Sequence, residues 1–387
     1  MRLVMIGDVG VVDDMVHIGD EAMFEAAYDE LSARGAEITA ISSAPAETAA
    51  RYGVAAIDRI RFDGLDRAAS EARLSAVADG GSSLARDDTA HAVIDAVAAA
   101  DGVVIAGGGN LASTWPLHVY ERAALGALAA RSTTPLVISG QTLGPALGVR
   151  DRELVATLLG QARRAGVRES ASARLAASLG ADARLGVDDA SFLGMPQADV
   201  ADGGPLVSLS LSLGGAPRDD TVARIAALVD AAAELVGSPA RFHAHFGPLT
   251  GAVPRGDALL HEEVRERMRT PSSVVPSGDA RAAASLARSS ALLITGRYHP
   301  AVFAAPAGVP VLGLVTDEYT AIKQRGALAH WGQSEVVPVG AADSQGVERL
   351  RSLWSARHAI RDEASRRRAS HRAATSAWWD EVAAVFG

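Results

Sequence analysis

The chain has 387 residues, enough for two domains, and 48% of them are hydrophobic, which excludes a largely disordered protein. It contains no cysteine, so disulfide bonds, zinc–thiolate sites, iron–sulfur clusters and a cysteine nucleophile are excluded. The net charge of −9 makes the surface a poor general ligand for nucleic acid or an anionic membrane, so any anion site is expected to be a local pocket.

The apolar runs of the chain are short. None approaches the roughly 18 residues of a membrane span, and the first residues do not have the pattern of a signal peptide. We therefore expect a soluble, cytoplasmic protein with no transmembrane segment. Arginine supplies almost every cation, because the chain has a single lysine, Lys323. Either arginine cannot replace lysine at this position, or codon bias has replaced every other lysine and the position has no special role.

In the first half of the chain, short apolar runs alternate with alanine-rich helical segments, a pattern that predicts parallel strands joined by helices. Asp20 is expected to cap the first helix, at 20–34, while 58–90 has no clean period and could be an insertion beside the site. The predicted strands are 2–6, 37–42, 101–106, 135–139, a short strand ending at 168, and 184–187.

The second half repeats the alternation after a segment rich in glycine and proline, 194–205, which is typical of a linker. Its predicted strands are 206–211, 240–245, 291–295 and 309–314, its predicted helices include 219–236 and 280–289, and 343–387 is predicted to be helical. We therefore predict an α/β protein of two Rossmann-like domains facing across a cleft (GT-B-like) with a C-terminal helical tail. The predicted division is 1–195, 205–342, and a tail at 343–387 that packs back on the body.

Ligands of parallel sheets bind beyond the carboxyl ends of the strands, so polar residues at those ends are the candidates for a site. The run 296–300 (GRYHP) follows a predicted buried strand and begins a helix. The guanidinium of Arg297, the imidazole of His299 and a helix N-terminus together suit a phosphate or a carboxylate. The alternative is that Arg297 pairs with a carboxylate of the chain and His299 only caps the helix.

Further candidates follow other strands. The ammonium of Lys323 can reach the same rim, unless it is a plain surface lysine. Arg168 is a candidate for a second guanidinium, with pairing to Glu169 as the alternative. The glycines at 107–109 bring backbone close to a ligand or form a tight turn, and they lack the spacing of a dinucleotide fingerprint or a P-loop.

Two histidines and two aspartates complete the candidates. His243 and His245 share one face of a predicted strand, which is too few ligands for a convincing metal site, and His245 near the strand end can contact substrate. Asp188 and Asp189 can bind a divalent ion or cap a turn. We expect no metal and no redox cofactor.

Six short motifs and one lysine, in this order and at these separations, resemble the polysaccharide pyruvyl transferase family over most of the chain. They are IGDEA at 18–22, GGGN at 107–110, SGQTLGP at 139–145, VRES at 167–170, GRYH at 296–299, GVP at 308–310, and Lys323. The resemblance implies a two-domain, glycosyltransferase-like fold and phosphoenolpyruvate as donor. The implied reaction builds a pyruvate ketal on two hydroxyls of an exopolysaccharide or cell-wall sugar and releases phosphate.

The implied site has a donor part and an acceptor part. His299 and Arg297 are expected to be catalytic, with His299 moving a proton. The residues expected around the doubly charged donor are Arg168, Gly296, Arg297, His299 and Lys323. The residues expected near a sugar or lipid-linked acceptor are Asp20, Asn110 and Gln141 of the first domain, with Gly108 and His245. Two alternatives stay open: a nucleotide-sugar glycosyltransferase of the same architecture, and a non-catalytic protein that binds glycans or nucleotides.

Overall fold

The computed structural model describes residues 1–195, 203–214, 217–250 and 253–387. Its strands are β1 (Arg2–Ile6), β2 (Met15–His17), β3 (Glu37–Ser42), β4 (Ala55–Asp58), β5 (Gly102–Ile105), β6 (Gly108–Leu111), β7 (Leu136–Leu143), β8 (Arg164–Val167), β9 (Arg184–Leu185), β10 (Gly203–Ser208), β11 (Ala240–His243), β12 (Phe246–Pro248), β13 (Ser272–Val275), β14 (Ser290–Thr295), β15 (Val311–Val315) and β16 (Val336–Pro338). Its α-helices are α1 (Ile18–Ser32), α2 (Pro45–Tyr52), α3 (Arg67–Ala78), α4 (Ala90–Ala99), α5 (Pro116–Arg131), α6 (Val149–Gln161), α7 (Ser170–Ser178), α8 (Arg218–Val236), α9 (Asp257–Arg267), α10 (Ala280–Arg288), α11 (Tyr298–Ala304), α12 (Glu318–Ala329), α13 (Val347–Ser355) and α14 (Arg357–Ala383).

The chain divides into two compact units. The first comprises Met1–Val12, Met23–Asp189 and Ala373–Gly387, and the second comprises Asp13–Ala22 and Ala190–Arg372. This differs from the predicted division in two places. Residues 13–22 belong to the second unit, because β2 pairs with β12 there, and the C-terminal tail is shared between the units. Of the predicted linker, 196–202 lies outside the described residues and 203–205 begins β10.

The first unit is built on an eight-stranded sheet. Its order is β4–β3–β1–β5–β7–β8–β9, with β6 paired to β7, and neighbouring strands are parallel. Along β1, Leu3 and Met5 enter one apolar cluster while Val4 and Ile6 enter another. Alternate residues of a strand point to opposite faces, so this sheet is covered on both sides. Burial on both faces explains why the apolar residues of β1 are continuous rather than alternating with polar ones.

The end of α14 covers one face of that sheet. Trp378, Trp379 and Phe386 belong to the apolar cluster on that face. Nε1 of Trp378 donates a hydrogen bond to Oγ of Ser139 (2.9 Å). Gly102 of β5 leaves the space that the Phe386 ring fills, since a Cβ at that glycine would overlap the ring.

The second unit is built on a six-stranded parallel sheet in the order β13–β11–β10–β14–β15–β16. Its core joins strand residues such as Phe242 and Ile294 to helix residues such as Ile225 and Leu350. The antiparallel pair of β2 and β12 is separate from this sheet. Two parallel sheets, each with its own helices and core, form the α/β fold that the alternating pattern predicts.

Four predicted local structures are wrong at candidate residues. The strand predicted at 135–139 continues to 143, so Gln141 lies within β7, and Gly108 lies in β6 where a turn was expected. The strand predicted at 240–245 ends at His243, which leaves His245 beyond it. Helix α1 begins at Ile18, so Asp20 lies in its first turn. Strand β7 extends because β6 and β8 pair with its end, and a local apolar pattern does not reveal such partners.

Candidate functional site

Arg297 lies between β14 and α11, beyond the carboxyl end of a strand, where the sequence predicts it. Its backbone N–H donates to Oγ1 of Thr295 (3.0 Å), which fixes the turn. The preceding residue, Gly296, packs on Leu213, and a Cβ at this glycine would overlap the leucine side chain. Glycine is therefore required here for close packing of the turn.

A buried carboxylate holds the guanidinium of Arg297. Nε and Nη2 donate to Oδ2 and Oδ1 of Asp257 at 2.8 and 2.5 Å. Asp257 is completely buried, and its oxygens also accept the backbone N–H groups of Leu211 and Phe246. The Arg297 side chain remains 29% exposed. The pair therefore fixes one edge of the guanidinium while part of the side chain stays open to solvent.

His299 is the second residue of α11 and is largely buried. Its ring packs against the backbone of Gly19, where a Cβ would overlap Nδ1 of the imidazole. The N–H of Ile18 donates to the carbonyl of His245 (3.0 Å). The start of α1 therefore packs on the segments that contain His245 and His299. The close contact with His299 explains why residue 19 of the 18–22 motif is glycine.

Lys323 lies on α12 with its ammonium beside two tyrosine rings. Nζ is 4.7 Å from the ring centroid of Tyr319, 5.2 Å from that of Tyr298, and 3.2 Å from the Tyr319 hydroxyl. The neighbouring Gln324 donates from Nε2 to the carbonyl of Arg297 (2.9 Å). These contacts bring Lys323 to the turn that begins α11, and cation–π attraction holds the ammonium there.

The histidines around this turn have lowered pKa values. Burial lowers the pKa of His243 and of His261 to about 4. Burial also lowers the pKa of His245 well below its usual value, and the neighbouring histidines and Arg297 lower it further. These three imidazoles are neutral at pH 7, whereas Arg297 and Lys323 carry positive charge at this turn.

Two residues expected near the acceptor lie in the second unit. The Asp20 carboxylate is 4.0 Å from Nδ1 of His17, whose ring stacks on Phe246 at 4.0 Å. His245 is buried in the neighbourhood of His299. Because β2 pairs with β12, the structure places Asp20 with the candidate donor residues rather than in the first domain.

Arg168 follows β8 as predicted, but only 1% of its surface is exposed. Its Nε donates to Oγ1 of Thr142 (2.9 Å), its Nη1 donates to Oδ2 of Asp188 (2.7 Å), and the Glu169 carboxylate lies 3.9 Å away. Arg168 is therefore ion-paired within the chain, mainly with Asp188 rather than with Glu169, the partner that the sequence suggests. The contacts favour a structural role, and donor binding by Arg168 stays a prediction.

Gly108, Asn110 and Gln141 meet in the first unit. Gly108 pairs with Gln141 in the register of β6 and β7. A Cβ on Gly108 would lie 3.2 Å from Oε1 of Gln141 and 3.3 Å from Oδ1 of Asn110. Nδ2 of Asn110 donates to Asp8, and Nε2 of Gln141 donates to the carbonyl of Ala106 (2.5 Å). The structure thus brings these three predicted acceptor residues together.

Asp189 is buried beside the same glycine run. Its Oδ2 would lie 3.4 Å from a Cβ on Gly107, and a Cβ on Gly140 would overlap the carboxylate. Gly140 has a φ of +53°, which favours glycine for a second reason. Burial, with the adjacent Asp188, raises the pKa of Asp189 to about 7. Such a carboxyl group exchanges its proton near neutral pH.

One residue and one contact that organise these sites were not predicted from the sequence. Asp257 is forty residues from Arg297 in the chain, and its only local signal is its position at the start of a helix. The packing of Gly19 on His299 joins motifs from opposite ends of the chain. Within the ranges given above, no three His, Cys, Asp or Glu side chains lie close enough to hold a metal ion. No helix among the described residues is long and apolar enough to cross a membrane.

The chain belongs to the polysaccharide pyruvyl transferase family, whose profile matches residues 17–318. The match contains every motif from 18–22 to 308–310, and Lys323 lies just beyond it. The resemblance inferred from the sequence is therefore confirmed. No curated protein sequence matches the chain.

Several solved structures share the fold at low sequence identity. UDP-GlcNAc 2-epimerase from Neisseria meningitidis, bound to UDP-GlcNAc, has a TM-score of 0.59 and 9% identity, covering 94% of each chain. MurG from Acinetobacter baumannii has a TM-score of 0.52 and 12% identity, covering 95% of this chain and 94% of its own. The glycosyltransferase SnogD from Streptomyces nogalater has a TM-score of 0.53 and 17% identity, covering 100% of both. At these identities the likeness shows the fold alone, and it confirms the GT-B-like α/β class.

Proposed function

We propose that this chain transfers the pyruvyl group of phosphoenolpyruvate onto two hydroxyl groups of a sugar, forming a pyruvate ketal and releasing phosphate. The observation that carries the proposal is the gathering of Arg297, His299 and Lys323 at one turn of a chain from this family. Each of these residues has a distinct task in the proposed reaction.

The donor carries a carboxylate and a phosphate, and two side chains of the second unit suit them. Arg297 has one guanidinium edge fixed by Asp257, and an arginine held in this way is suited to a planar anion such as a carboxylate. Lys323 supplies a compact charge of the kind that binds phosphate. Donor binding by Arg168 stays a prediction, and we give it no task here because its guanidinium is buried as well as ion-paired, whereas the paired Arg297 remains 29% exposed.

His299 is the proposed proton donor. In the first step, a sugar hydroxyl forms a bond to the central carbon of phosphoenolpyruvate while the methylene carbon takes a proton from His299. In the second step, the neighbouring hydroxyl bonds to the same carbon, the bond to the phosphate oxygen breaks, and phosphate leaves. The two hydroxyl protons balance the proton on the new methyl group and the proton on phosphate. The reaction involves no net oxidation or reduction, so it needs no redox cofactor, and we propose none and no metal.

The acceptor is the other half of the proposal. We assign it to the first unit beside Gly108, where the side-chain oxygens of Asn110 and Gln141 can accept hydrogen bonds from sugar hydroxyls. The acceptor is a sugar or a lipid-linked glycan of an exopolysaccharide or cell-wall polymer. We place the reaction in the cytoplasm.

Loss of His299 tests this proposal most simply. We expect His299→Ala to lower phosphate release from phosphoenolpyruvate and a sugar acceptor by about 100-fold or more, because general acid catalysis contributes at least that much. His358→Ala, at an exposed histidine of α14, is the matched control and should leave the rate unchanged. Near-normal release by the His299 variant, with the control equal to the wild type, refutes the assigned role.

Ligand-induced stabilisation separates the proposal from its alternatives. A ligand that binds only the folded chain raises its melting temperature. Phosphoenolpyruvate is expected to stabilise the wild type and to have less effect on Lys323→Met. Stabilisation by a nucleoside diphosphate, with none by phosphoenolpyruvate, favours a nucleotide-sugar enzyme. Stabilisation by glycan alone favours a binding protein.

A further inference from the structure

Three buried side-chain oxygens of the first unit have no hydrogen-bond partner among the residues that the structure describes. They are Oδ1 of Asn110, Oε1 of Gln141 and Oδ2 of Asp189. Buried acceptors are normally satisfied, because an acceptor that has lost its water and gained no donor costs free energy. Three of them around one glycine run indicate a donor that the described part of the chain does not supply.

The orientation of both amide groups is fixed by their nitrogen atoms. Nδ2 of Asn110 donates to the carboxylate of Asp8, and Nε2 of Gln141 donates to the carbonyl of Ala106. Rotating either amide by half a turn would bring an oxygen against another oxygen. Both amide groups border Gly108: a Cβ there would lie 3.2 Å from Oε1 and 3.3 Å from Nε2 of Gln141, and 3.3 Å from Oδ1 of Asn110.

Asp189 adds a carboxyl oxygen beside the neighbouring glycine. Its Oδ2 would lie 3.4 Å from a Cβ on Gly107. The carboxyl group also forms a hydrogen bond with Ser139, whose Oγ accepts Nε1–H of Trp378. This chain of contacts ties the Asp189 side chain to the sheet and to α14, while Oδ2 stays unpartnered. We call Gly107, Gly108, Asn110, Gln141 and Asp189 the oxygen shelf.

The chemistry of the oxygen shelf distinguishes between two kinds of ligand, a metal cation and a set of hydroxyl groups. A hard cation such as Ca²⁺ or Mg²⁺ takes oxygen ligands and usually several carboxylates. The shelf has one carboxyl group, its pKa is raised to about 7, and the charge of Arg168 lies close to it. Sugar hydroxyl groups, by contrast, each donate to a separate acceptor atom, and neutral amide oxygens such as those of Asn110 and Gln141 are suitable acceptors. The observations therefore favour hydroxyl groups.

We propose that the oxygen shelf binds neighbouring hydroxyl groups of the sugar acceptor, each hydroxyl donating its hydrogen to a shelf oxygen. This inference rests on the proposed function, and it adds how the acceptor is selected. A sugar keeps its affinity only where free hydroxyls face the shelf, so replacing such a hydroxyl by hydrogen or by an acetyl ester weakens binding. A side chain at Gly108 would lie against the amide groups of Asn110 and Gln141 and would block the approach of a hydroxyl to their oxygens.

The test measures sugar binding in the absence of phosphoenolpyruvate. The probes are the methyl α- and β-glycosides of glucose, galactose and mannose, observed by saturation-transfer NMR and titrated for affinity. The φ of Gly108 is not in the left-handed region, so Gly108→Ala introduces a methyl group without backbone strain. Gly160→Ala is the control, because apart from its own helix backbone and chain neighbours no described residue lies within 4 Å of a Cβ there. Gln141→Met removes one shelf oxygen at similar volume and serves where Gly108→Ala does not fold.

We expect the wild type and Gly160→Ala to bind at least one glycoside with equal affinity, and Gly108→Ala or Gln141→Met to bind it at least about tenfold more weakly. A deoxy analogue of the bound glycoside should show a similar loss. Equal affinity in all variants, or no binding of any glycoside to the wild type, overturns the proposal. Binding of Ca²⁺ or Mg²⁺ that Gly108→Ala abolishes also overturns it, in favour of a cation site.

Failure of this inference and failure of the proposed reaction give different results. If sugar binding depends on Gly108 but no phosphate is released from phosphoenolpyruvate, the oxygen shelf is supported as a sugar site and the proposed pyruvyl transfer is refuted. Phosphate release with sugar binding that is indifferent to Gly108 has the opposite meaning: the reaction stands and the shelf is not the acceptor site.

Discussion

Asp257 shows how a single side chain can set the geometry of a candidate site. It accepts two hydrogen bonds from Arg297 and one backbone N–H each from Leu211 and Phe246. A buried carboxylate that is fully hydrogen-bonded resists reorientation, because any movement leaves a charge unpaired. We therefore regard Asp257 as the residue that positions Arg297.

Asp257→Asn tests that role. The amide cannot accept both guanidinium hydrogen bonds, so we expect the KM for phosphoenolpyruvate to rise about tenfold or more, with a loss of roughly 3–5 kcal/mol in the free energy of unfolding. Glu263→Gln on the same helix breaks a half-exposed pair with Arg218 and should cost less than about 1 kcal/mol, with KM unchanged. A KM that stays at the wild-type value in Asp257→Asn assigns it a purely structural role.

The Asp189 carboxyl group makes a second prediction at the residue scale. Its pKa is about 7 in the folded chain and 3.8 ordinarily, so the folded chain keeps a proton that the unfolded chain releases. The stability this group contributes is complete below pH 3.8 and is lost as the pH rises to about 7. Three pKa units correspond to about 4 kcal/mol.

Asp189→Asn has no proton to lose at this position. The advantage of this variant over the wild type, in free energy of unfolding, is therefore expected to grow from pH 4 to pH 7 and to stay level above that. Urea unfolding of both proteins at unit steps from pH 4 to pH 9 measures it. An advantage that does not change with pH contradicts the raised pKa.

At the scale of elements, the start of α1 is constrained by its contact with α11. A methyl group at Gly19 would overlap Nδ1 of His299, so we expect Gly19→Ala to displace the imidazole and to reduce both stability and phosphate release. Gly160→Ala is also in a helix, but in open space, and should raise stability by about 0.5–1 kcal/mol, the usual effect of alanine there. Comparable thermal stability and activity of the two variants would contradict the packing described here.

The elements that carry the buried histidines predict an acid transition. His243 ends β11 and His261 lies on α9, and both have folded pKa values of about 4 against an ordinary 6.5. A lowered pKa contributes stability that is present above pH 6.5 and is lost as the pH falls to 4, by up to about 3 kcal/mol for each histidine. Replacing both by glutamine should make thermal stability fall less steeply across this window, with part of the slope retained by His245, and an unchanged slope would contradict the prediction.

The sequence predicts elements better than it predicts their partners. Apolar runs locate β1, β3 and β14 within a residue or two, because burial on both faces leaves a continuous pattern. The same pattern does not show that β6 and β8 extend β7, or that β2 pairs with β12. The position of Gln141 within a strand, and of Asp20 in the second unit, follows from that pairing.

For the whole molecule, the sequence motifs were enough to assign the family, and the structure shows which contacts the residues of those motifs make. The glycines at 19 and 296 are explained by packing against His299 and Leu213. The ion pairs of Arg168 and Arg297 are not visible in the sequence, since their carboxylates lie 20 and 40 residues away. Spacing along the chain identifies charged residues at strand ends, but only coordinates show which charges are already neutralised.

The most direct test of pyruvyl transfer follows the carbon and hydrogen atoms of the donor into the sugar. The wild type is incubated in deuterated water with ¹³C-labelled phosphoenolpyruvate and the methyl glycosides, and the products are analysed by mass spectrometry and NMR. We predict a glycoside that gains the three labelled carbons as a ketal, with deuterium in its new methyl group and one phosphate released per ketal. Phosphate released without label in any sugar, or a sugar modified only when a nucleotide sugar is supplied, would contradict the account.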